Sequence, residues 1–220
     1  MIRNAIMQQK YLTYIILWLL FHLSVEVNCQ PIFRPKQRQW HTATFVRDRL
    51  YILDGVYLSN TTNDISEYFY LDVSTSFNTK SMSWQTLPTS IVPAHDNAAS
   101  GVGGASNDTI FLYGGYAGNN NGTALVYTFE TQSGIWNAPN VVGVSATRKQ
   151  ALTGVVNNRG KMFLFGGATV TDLTDLSDML ILDTISLSWN RGSLVNAPSA
   201  GRLNYGAVLL PDQSIMYLGN

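Results

Sequence analysis

The chain has almost no cysteine: Cys29 is the single one among 220 residues. A lone thiol cannot form a disulfide within the chain, and we expect Cys29 to be removed with the N-terminal segment that it ends. A domain without disulfides must be held together by a buried core rather than by covalent cross-links. The residues after Cys29 are numerous enough for one domain with a sizeable core.

Charge is also scarce in this sequence, and it is balanced. Charged residues make up 13% of the chain, with 14 Lys and Arg against 14 Asp and Glu, and no basic run occurs. Nucleic acids and anionic membrane surfaces bind where Lys and Arg are concentrated. The composition therefore argues against both as partners.

The first 29 residues have the layout of a cleaved secretory signal peptide. Arg3 and Lys10 supply positive charge, residues 11–23 form an apolar run, and residues 27–29 offer small or modest side chains before Gln30. A membrane anchor is the alternative, but the apolar run is shorter than the roughly 20 residues that span a bilayer. We therefore expect a secreted chain, or a membrane-tethered one if the gene continues to a C-terminal anchor.

Three tripeptides match the acceptor pattern for N-linked glycosylation, and all lie in polar stretches that we expect to form turns. Their asparagines are Asn60, Asn107 and Asn121. An exposed turn accommodates a bulky sugar. We therefore predict glycosylation at these three positions, which agrees with secretion.

An apolar run that ends in glycine recurs along the chain. The four copies are Leu50–Gly55, Ile110–Gly115, Met162–Gly167 and Ile215–Asn220. Two copies carry a glycine pair, whereas Asp54 replaces the first glycine of one copy and Asn220 replaces the second glycine of another. Tryptophan keeps the same spacing, because Trp84, Trp136 and Trp189 are 52 and 53 residues apart. Two markers with one period indicate a repeated structural unit.

Each unit is predicted to form four short strands. The first alternates small and apolar residues, as in 151–156, and the second is the continuous apolar run that the glycines end. The third strand ends in an acid, and the fourth carries the tryptophan. The acids are Asp72, Glu130 and Asp183. We interpret them as acceptors for backbone N–H groups at strand ends.

The units must pack against one another, because a four-stranded sheet with two apolar faces cannot bury both alone. No convincing helical period occurs after residue 29. The period, the number of strands and the position of the glycines favour radial stacking, which gives an all-β fold of the β-propeller type. A β-sandwich with accidental spacing is the alternative.

These features resemble the kelch repeat family, whose unit joins an apolar run, a double glycine, a tyrosine and a tryptophan at a period of about 50. The second unit matches best, whereas Phe69 and Leu180 stand where tyrosine is expected in the first and third. The residues that we assign to the repeat signature are Gly55, Gly114, Gly115, Gly166, Gly167, Gly219, Tyr127, Trp84, Trp136 and Trp189.

The resemblance implies a kelch-type β-propeller over residues 30–220, with blades at about 40–88, 95–140, 148–195 and 202–220. Three of these blades are complete, and the fourth has only its first two strands. Propellers close with about four to eight blades. We therefore expect an incomplete ring from a truncated product, with open blade faces that favour self-association.

Some secreted kelch propellers resemble galactose oxidase, a copper radical enzyme. That chemistry requires a tyrosine cross-linked to a cysteine, together with two histidines at the copper ion. After Cys29 is removed the chain has no cysteine, and its histidines, His41 and His95, lie near the first strands of different units. We therefore predict no catalytic, cofactor-binding or metal-binding residues.

Loops offer the remaining candidates for binding. Aspartate occupies every third position of residues 172–178, but the segment lacks the glycine and terminal glutamate of a calcium-binding EF-hand loop. We interpret it as a solvated loop. Tyr57, Tyr116 and residues 119–121 follow second strands, and loops gather at a propeller face. Their aromatic and amide groups suit a peptide or a carbohydrate, although the ligand-binding residues stay unassigned.

The leading hypothesis is an extracellular protein- or carbohydrate-binding kelch scaffold without catalytic activity or cofactor. Its partner would be an extracellular protein or glycan, and not a nucleic acid. The alternatives are a fragment of a galactose-oxidase-like copper radical oxidase and the ectodomain of a membrane-anchored kelch protein.

Overall fold

A computed structural model describes residues 14–16, 18, 33–58, 67–88, 91–118, 123–195 and 200–219. The chain divides into two compact units, residues 1–32 and 33–220. In the first unit residues 14–16 and 18 are helical and exposed, and the rest of the predicted signal peptide, including Cys29, lies outside the described residues. Within the described part of the chain, no helix has the length and apolar character needed to cross a membrane.

Residues 38–86 supply the first blade. Their strands are β1 (Arg38–Gln39), β2 (Thr42–Val46), β3 (Arg49–Leu53), β4 (Val56–Tyr57), β5 (Tyr68–Asp72) and β6 (Trp84–Thr86). The blade has the order β2-β3-β5-β6 with antiparallel neighbours, and β1 pairs with β4. In β2 the side chains of Thr42, Thr44 and Val46 are buried, and those of Ala43 and Phe45 are exposed. This alternation is the period of a strand with one packed face.

Residues 96–137 supply the second blade. Its strands are β7 (Asp96–Gly103), β8 (Thr109–Tyr116), β9 (Val126–Glu130) and β10 (Ile135–Asn137). They are antiparallel, in the order β10-β9-β8-β7. Residues 110–113 of β8 are all buried. We expected this strand to end at the glycine pair, but it continues to Tyr116, because Asp96 of β7 still pairs with that residue.

Residues 142–191 supply the third blade. Their strands are β11 (Val142–Gly143), β12 (Lys149–Gln150), β13 (Val155–Val156), β14 (Lys161–Phe165), β15 (Ala168–Thr169), β16 (Met179–Asp183) and β17 (Ser188–Arg191). The sheet has the order β11-β17-β16-β14-β13, with β11 parallel to β17, and β12 pairs with β15. The expectation of one strand over 151–156 was wrong. Ala151 adopts a left-handed φ of 57° and donates its N–H to Asn97 O of the second blade, which interrupts the strand.

Residues 206–218 form the two antiparallel strands β18 (Gly206–Leu209) and β19 (Ile215–Leu218) of a fourth blade. Ala207 and Tyr217 pack against the preceding blade, and Val208, Met216 and Leu218 are exposed on the other face. The sheets form an open arc of a β-propeller rather than a closed ring. The predicted fold, three four-stranded blades and the start of a fourth, is confirmed, and self-association through open faces stays a prediction.

Aromatic pairs connect successive blades. Tyr68 of the first blade contacts Trp136 of the second with ring centroids 5.2 Å apart. Tyr113 of the second blade contacts Trp189 of the third in the same way at 5.4 Å. Both tryptophans are buried, whereas Trp84 is half-buried and packs within its own blade. Trp136 and Trp189 keep the repeat period because each one fills the boundary with the blade before it.

The two glycines of a pair meet different neighbours. A Cβ at Gly114, where φ is 72°, would overlap the carbonyl oxygen of Lys149 in the next blade. A Cβ at Gly115, where φ is 76°, would lie 2.6 Å from the carbonyl oxygen of Asp96 in the same blade. The first glycine therefore permits contact between blades, and the second permits contact between strands of one blade.

Candidate functional site at the channel mouth

Four residues at corresponding positions of the four units line the inner edge of the arc. Trp40, Asn97, Ala151 and Asn204 all have left-handed backbone, with φ of 59°, 53°, 57° and 49°. Each accepts or donates a backbone hydrogen bond across a blade boundary: Asn97 N to Trp40 O at 2.9 Å, Ala151 N to Asn97 O at 3.0 Å, and Asn204 N to Ala151 O at 3.0 Å. This ladder fixes the direction in which the four side chains leave the backbone.

The left-handed conformation is unusual for two of these residues. Asparagine adopts it readily, but alanine and a bulky residue such as Trp40 rarely do. Strained backbone persists where the surrounding contacts over-determine it, and such positions are common at functional sites. Here the hydrogen bond from Asn97 holds the Trp40 carbonyl, and the indole remains 51% exposed.

These residues surround a cavity of about 270 Å³ at one end of the arc. We call it the channel mouth and define it by Trp40, His41, Asn97, Thr153, Asn204 and Tyr205. A second cavity of about 210 Å³ shares His41 and Thr153 with it and continues along the inner strands to Ser100 and Gly154. The two depressions are open to solvent and run side by side along the first strands of successive blades.

The channel mouth is uncharged. No Lys, Arg, Asp or Glu is among the described residues that line either cavity. Burial, and then the positive charge of nearby Arg38, lower the pKa of His41 below its usual value. His41 is therefore neutral at pH 7 and offers one donor and one acceptor.

An arginine of the third blade holds the loop that follows the second strand of the second blade. Arg148 donates from Nη1 to Gly114 O at 2.9 Å, and from Nη2 to Thr123 O at 3.0 Å and to Ala124 O at 2.8 Å. One rigid guanidinium thus binds both ends of this loop. The predicted candidates at 119–121, including Asn121, lie outside the described residues.

Buried cations hold the equivalent loops of the first and third blades. The Arg38 guanidinium lies 2.6 Å from the Glu67 carboxylate, and the Lys149 ammonium lies 2.6 Å from that of Asp178. Both cations are almost fully buried. Burial lowers the pKa of Lys149, and the hydrogen bond to Asp178 opposes that change. In the loop interpreted as solvated, Asp172 and Asp175 are exposed, and Asp178 is 32% exposed and pairs with Lys149.

The predicted loop tyrosines have different environments. Tyr57 is half-buried beside Arg38, with Lys36 4.7 Å from its ring centroid. Burial, followed by the hydrogen bond and charge of Glu67, raises the pKa of Tyr57 to about 12. Tyr116 is 44% exposed at the end of β8. Neither tyrosine lines the channel mouth, so the structure moves the candidate site from these loops to the start of the first strands.

The predicted glycosylation sites fall in turns or outside the described residues. Asn107 is exposed in the turn between β7 and β8, where its N–H donates to Gly104 O at 3.1 Å. Asn60 and Asn121 lie outside the described residues.

Tyr127, a residue of the repeat signature, is half-buried against the core between the first two blades.

Two of the three acids at the ends of third strands accept backbone hydrogen bonds from the following turn, whereas Glu130 accepts from the side chains of Ser133 and Asn137. Asp72 accepts from the backbone of Ser74 at 3.0 Å, and Asp183 accepts from the backbone of Ile185 at 3.0 Å.

His41 and His95 lie immediately before β2 and β7. In the ranges that the structure describes, no three His, Cys, Asp or Glu side chains come together in a way that could hold a metal ion.

The sequence interpretation missed Trp40, Asn97 and Asn204. One signal was present: each comes close to a first strand, at a similar distance ahead of a glycine signature. Two of the four positions are occupied by asparagine, which adopts the left-handed backbone conformation more readily than most other residues. The tryptophan carries no comparable sign, because its exposure depends on neighbours from other blades.

Comparison with known proteins gives a family and relatives. Residues 40–220 match the family model described as the KLHDC2/KLHL20/DRC7 Kelch-repeats domain. Kelch domain-containing protein 3 of Bos taurus is 26% identical over 188 residues, which is 81% of this chain and 47% of that protein. The Rattus norvegicus protein of the same name is 26% identical over 189 residues, with the same shares. The chain spans about half the length of the curated relatives it matches.

A solved structure shares the fold. The structure of YjhT matches with a TM-score of 0.60 and 15% identity, covering 79% of this chain and 54% of that one. At this identity the likeness concerns the fold alone.

Proposed function

The chain belongs to the kelch-repeat family, and on that basis we propose that it is an extracellular binding scaffold that holds a protein or glycan at the channel mouth. In this proposal the chain has no catalytic activity of its own. The blades serve as a rigid frame, and residues at their inner ends supply the contacts.

One observation carries the proposal: an exposed tryptophan and two asparagines meet at a concave site. Trp40, Asn97 and Asn204 come from three different blades, and the hydrogen-bond ladder holds their backbone. Binding sites on proteins are concave and largely pre-formed, with a few placed polar groups beside an apolar surface. A pre-organised site loses little conformational freedom on binding.

Two ion pairs near the inner ends of the blades have structural roles. Lys149 and Asp178 neutralise each other, and Arg38 is held by Glu67. Each of these groups has a structural partner that fixes a loop. A catalytic acid or base needs access to the proton it transfers, and these side chains are occupied.

Secretion is supported by the signal-like N terminus and by the exposure of Asn107. The balanced charge and the uncharged channel mouth support a partner other than nucleic acid. Expression in eukaryotic secretory cells, with the protein recovered from the medium, tests the location directly.

The binding role is tested with the full chain on arrays of extracellular proteins and glycans. We expect at least one ligand, with binding weakened tenfold or more by Trp40→Ala. Phe77→Ala is the matched control, because Phe77 is 49% exposed in the segment between β5 and β6, away from the channel mouth. Absence of any ligand contradicts the proposal. So does hydrogen peroxide release from galactose by the copper-treated protein.

A further inference from the structure

We propose that the channel mouth binds a single neutral pyranose ring, stacked on Trp40 and hydrogen-bonded by Asn97 and Asn204. This inference rests on the proposed function and names the class of its ligand. An uncharged sugar at the end of a glycan chain fits the site best.

The indole of Trp40 provides the apolar surface. It is 51% exposed although it belongs to the inner edge of the arc, and its backbone is fixed at a φ of 59°. A pyranose presents a face of C–H groups that packs against an aromatic ring, while its hydroxyls point outward. Tryptophan suits this contact because it offers a large rigid apolar face at little entropic cost.

The amides beside Trp40 match the hydroxyls of a sugar. A carboxamide both donates and accepts, as a hydroxyl does. The Nδ2 of Asn97 donates one N–H to Asp96 Oδ1 at 2.7 Å, which leaves its second N–H and its Oδ1 for a ligand. Asn204 is exposed and lines the same cavity. The hydroxyl of Thr153 donates to Tyr205 O at 2.6 Å, so its oxygen can only accept from a ligand.

The charges beside the channel mouth disfavour anionic ligands. Arg38 is paired with Glu67, and the carboxylate of Asp96 accepts from Asn97 at the cavity lining, whereas Arg202 donates to the uncharged Gly219 O at 2.6 Å. Neutral His41 adds no charge. A carboxylate or sulfate bound to the Asn97 amide would lose hydration beside the like charge of Asp96. Acidic sugars, sulfated glycans and peptide C termini are therefore disfavoured.

The size of the cavity agrees with one ring. Its volume of about 270 Å³ lies just below the roughly 300–1,000 Å³ of sites for drug-sized molecules. The remaining sugars of a glycan would extend out of the open mouth. The adjoining cavity of about 210 Å³, which reaches Ser100 and Gly154, extends the site along the first strands.

The test measures intrinsic tryptophan fluorescence and calorimetric binding with the secreted full chain. The probes are the methyl glycosides of galactose, glucose and mannose, with N-acetylneuraminic acid as the anionic comparison. We expect at least one neutral glycoside to bind, with an affinity that does not change between low and high salt. Trp40→Ala should abolish the fluorescence response, and Asn204→Ala should weaken binding by about fivefold or more. Phe77→Ala should leave binding unchanged.

Several outcomes distinguish this inference from the proposed function. One outcome is that the chain binds a protein, that Trp40→Ala weakens this binding, and that no neutral glycoside or glycan binds. This result contradicts the sugar ligand but not the proposed scaffold role. Preference for the acidic sugar also overturns it. If Trp40→Ala alters the melting temperature, Asn204→Ala decides, because wild-type affinity in that variant contradicts the proposed contacts. If the chain binds none of the proteins and glycans tested, both proposals are contradicted.

Discussion

The Oδ2 atom of Asp54 accepts the backbone N–H of His95 at 2.5 Å, across the boundary between the first and second blades. The hydroxyl of Tyr68 donates to the same oxygen at 3.1 Å, and His95 Nδ1 lies 3.0 Å from it. Nδ1 is also 3.0 Å from Pro93 O. Carboxylate and carbonyl oxygens only accept, so this nitrogen carries a proton. Asp54 thus replaces the first glycine of the signature and joins two blades with its side chain.

Asp54 should make stability fall as pH rises through its titration. Burial raises the pKa of this carboxyl, against the opposing hydrogen bonds from His95. A raised pKa in the folded state means that the protonated form is favoured there, and that stability is lost as pH rises through the folded pKa. Asp54→Asn removes this charge. In urea titrations we expect the free energy of unfolding of the variant, relative to wild type, to increase as pH rises above about 4, the ordinary pKa of an aspartate.

Asp72→Asn is the matched control, with the opposite sign. Hydrogen bonds from the side chain and backbone of Ser74 lower the pKa of Asp72. Its contribution is present at neutral pH and is lost as pH falls through the folded pKa. The Asp72→Asn variant should therefore be less stable than wild type at neutral pH, and the difference should shrink as pH falls below about 4, the ordinary pKa of an aspartate. The inference about Asp54 is contradicted if the difference in free energy of unfolding between Asp54→Asn and wild type does not change with pH.

Gly114→Ala should destabilise the protein much more than Gly134→Ala. The two glycines have φ of 72° and 71°, so both variants carry the same backbone strain of about 1–2 kcal/mol. An added Cβ meets nothing within 4 Å at Gly134, but at Gly114 it overlaps the carbonyl oxygen of Lys149. We expect a further loss of about 1–3 kcal/mol at Gly114, measured by urea unfolding. Equal losses would mean that the blades do not approach each other at this point.

The two partners of the Lys149–Asp178 pair should respond unequally to replacement. Asp178→Asn leaves the ammonium buried beside neutral oxygens, and we expect a loss of about 3 kcal/mol. Lys149→Met removes the buried charge and keeps the volume. It leaves the Asp178 side chain 32% exposed and 3.6 Å from Arg191, so the loss should stay below about 1.5 kcal/mol. Chemical unfolding of both variants measures the difference, and a larger loss for Lys149→Met contradicts the assignment.

Asn107→Gln should remove one glycan from the secreted protein. Asn107 is exposed in a turn, where a sugar has room. In secretory cells, the variant should migrate as a species that lacks one glycan, and peptide N-glycosidase should collapse the difference from wild type. Asn158→Gln is the control, because Asn158 is exposed in the corresponding turn of the third blade without an acceptor pattern. Identical migration of Asn107→Gln and wild type would exclude this site.

Local patterns made the strands predictable. The apolar runs at 110–113 and 162–165 indicated central strands, because a strand covered on both faces needs apolar side chains in succession. No sequence pattern predicted the parallel pairing of β11 with β17, because this pairing depends on backbone hydrogen bonds between Val142 and a segment far along the chain. The same holds for Asp178, whose partner lies 29 residues earlier.

The sequence by itself determined the repeated unit, the order of its strands and the position of its glycine pairs. Each of these follows from a requirement within one unit: alternation in a strand, burial of an apolar run, or a backbone that only glycine tolerates. Only the tertiary structure decided where the candidate site lies. Trp40, Asn97 and Asn204 lie in different units, far apart in the sequence, and they meet because hydrogen bonds between blades bring corresponding positions to one edge.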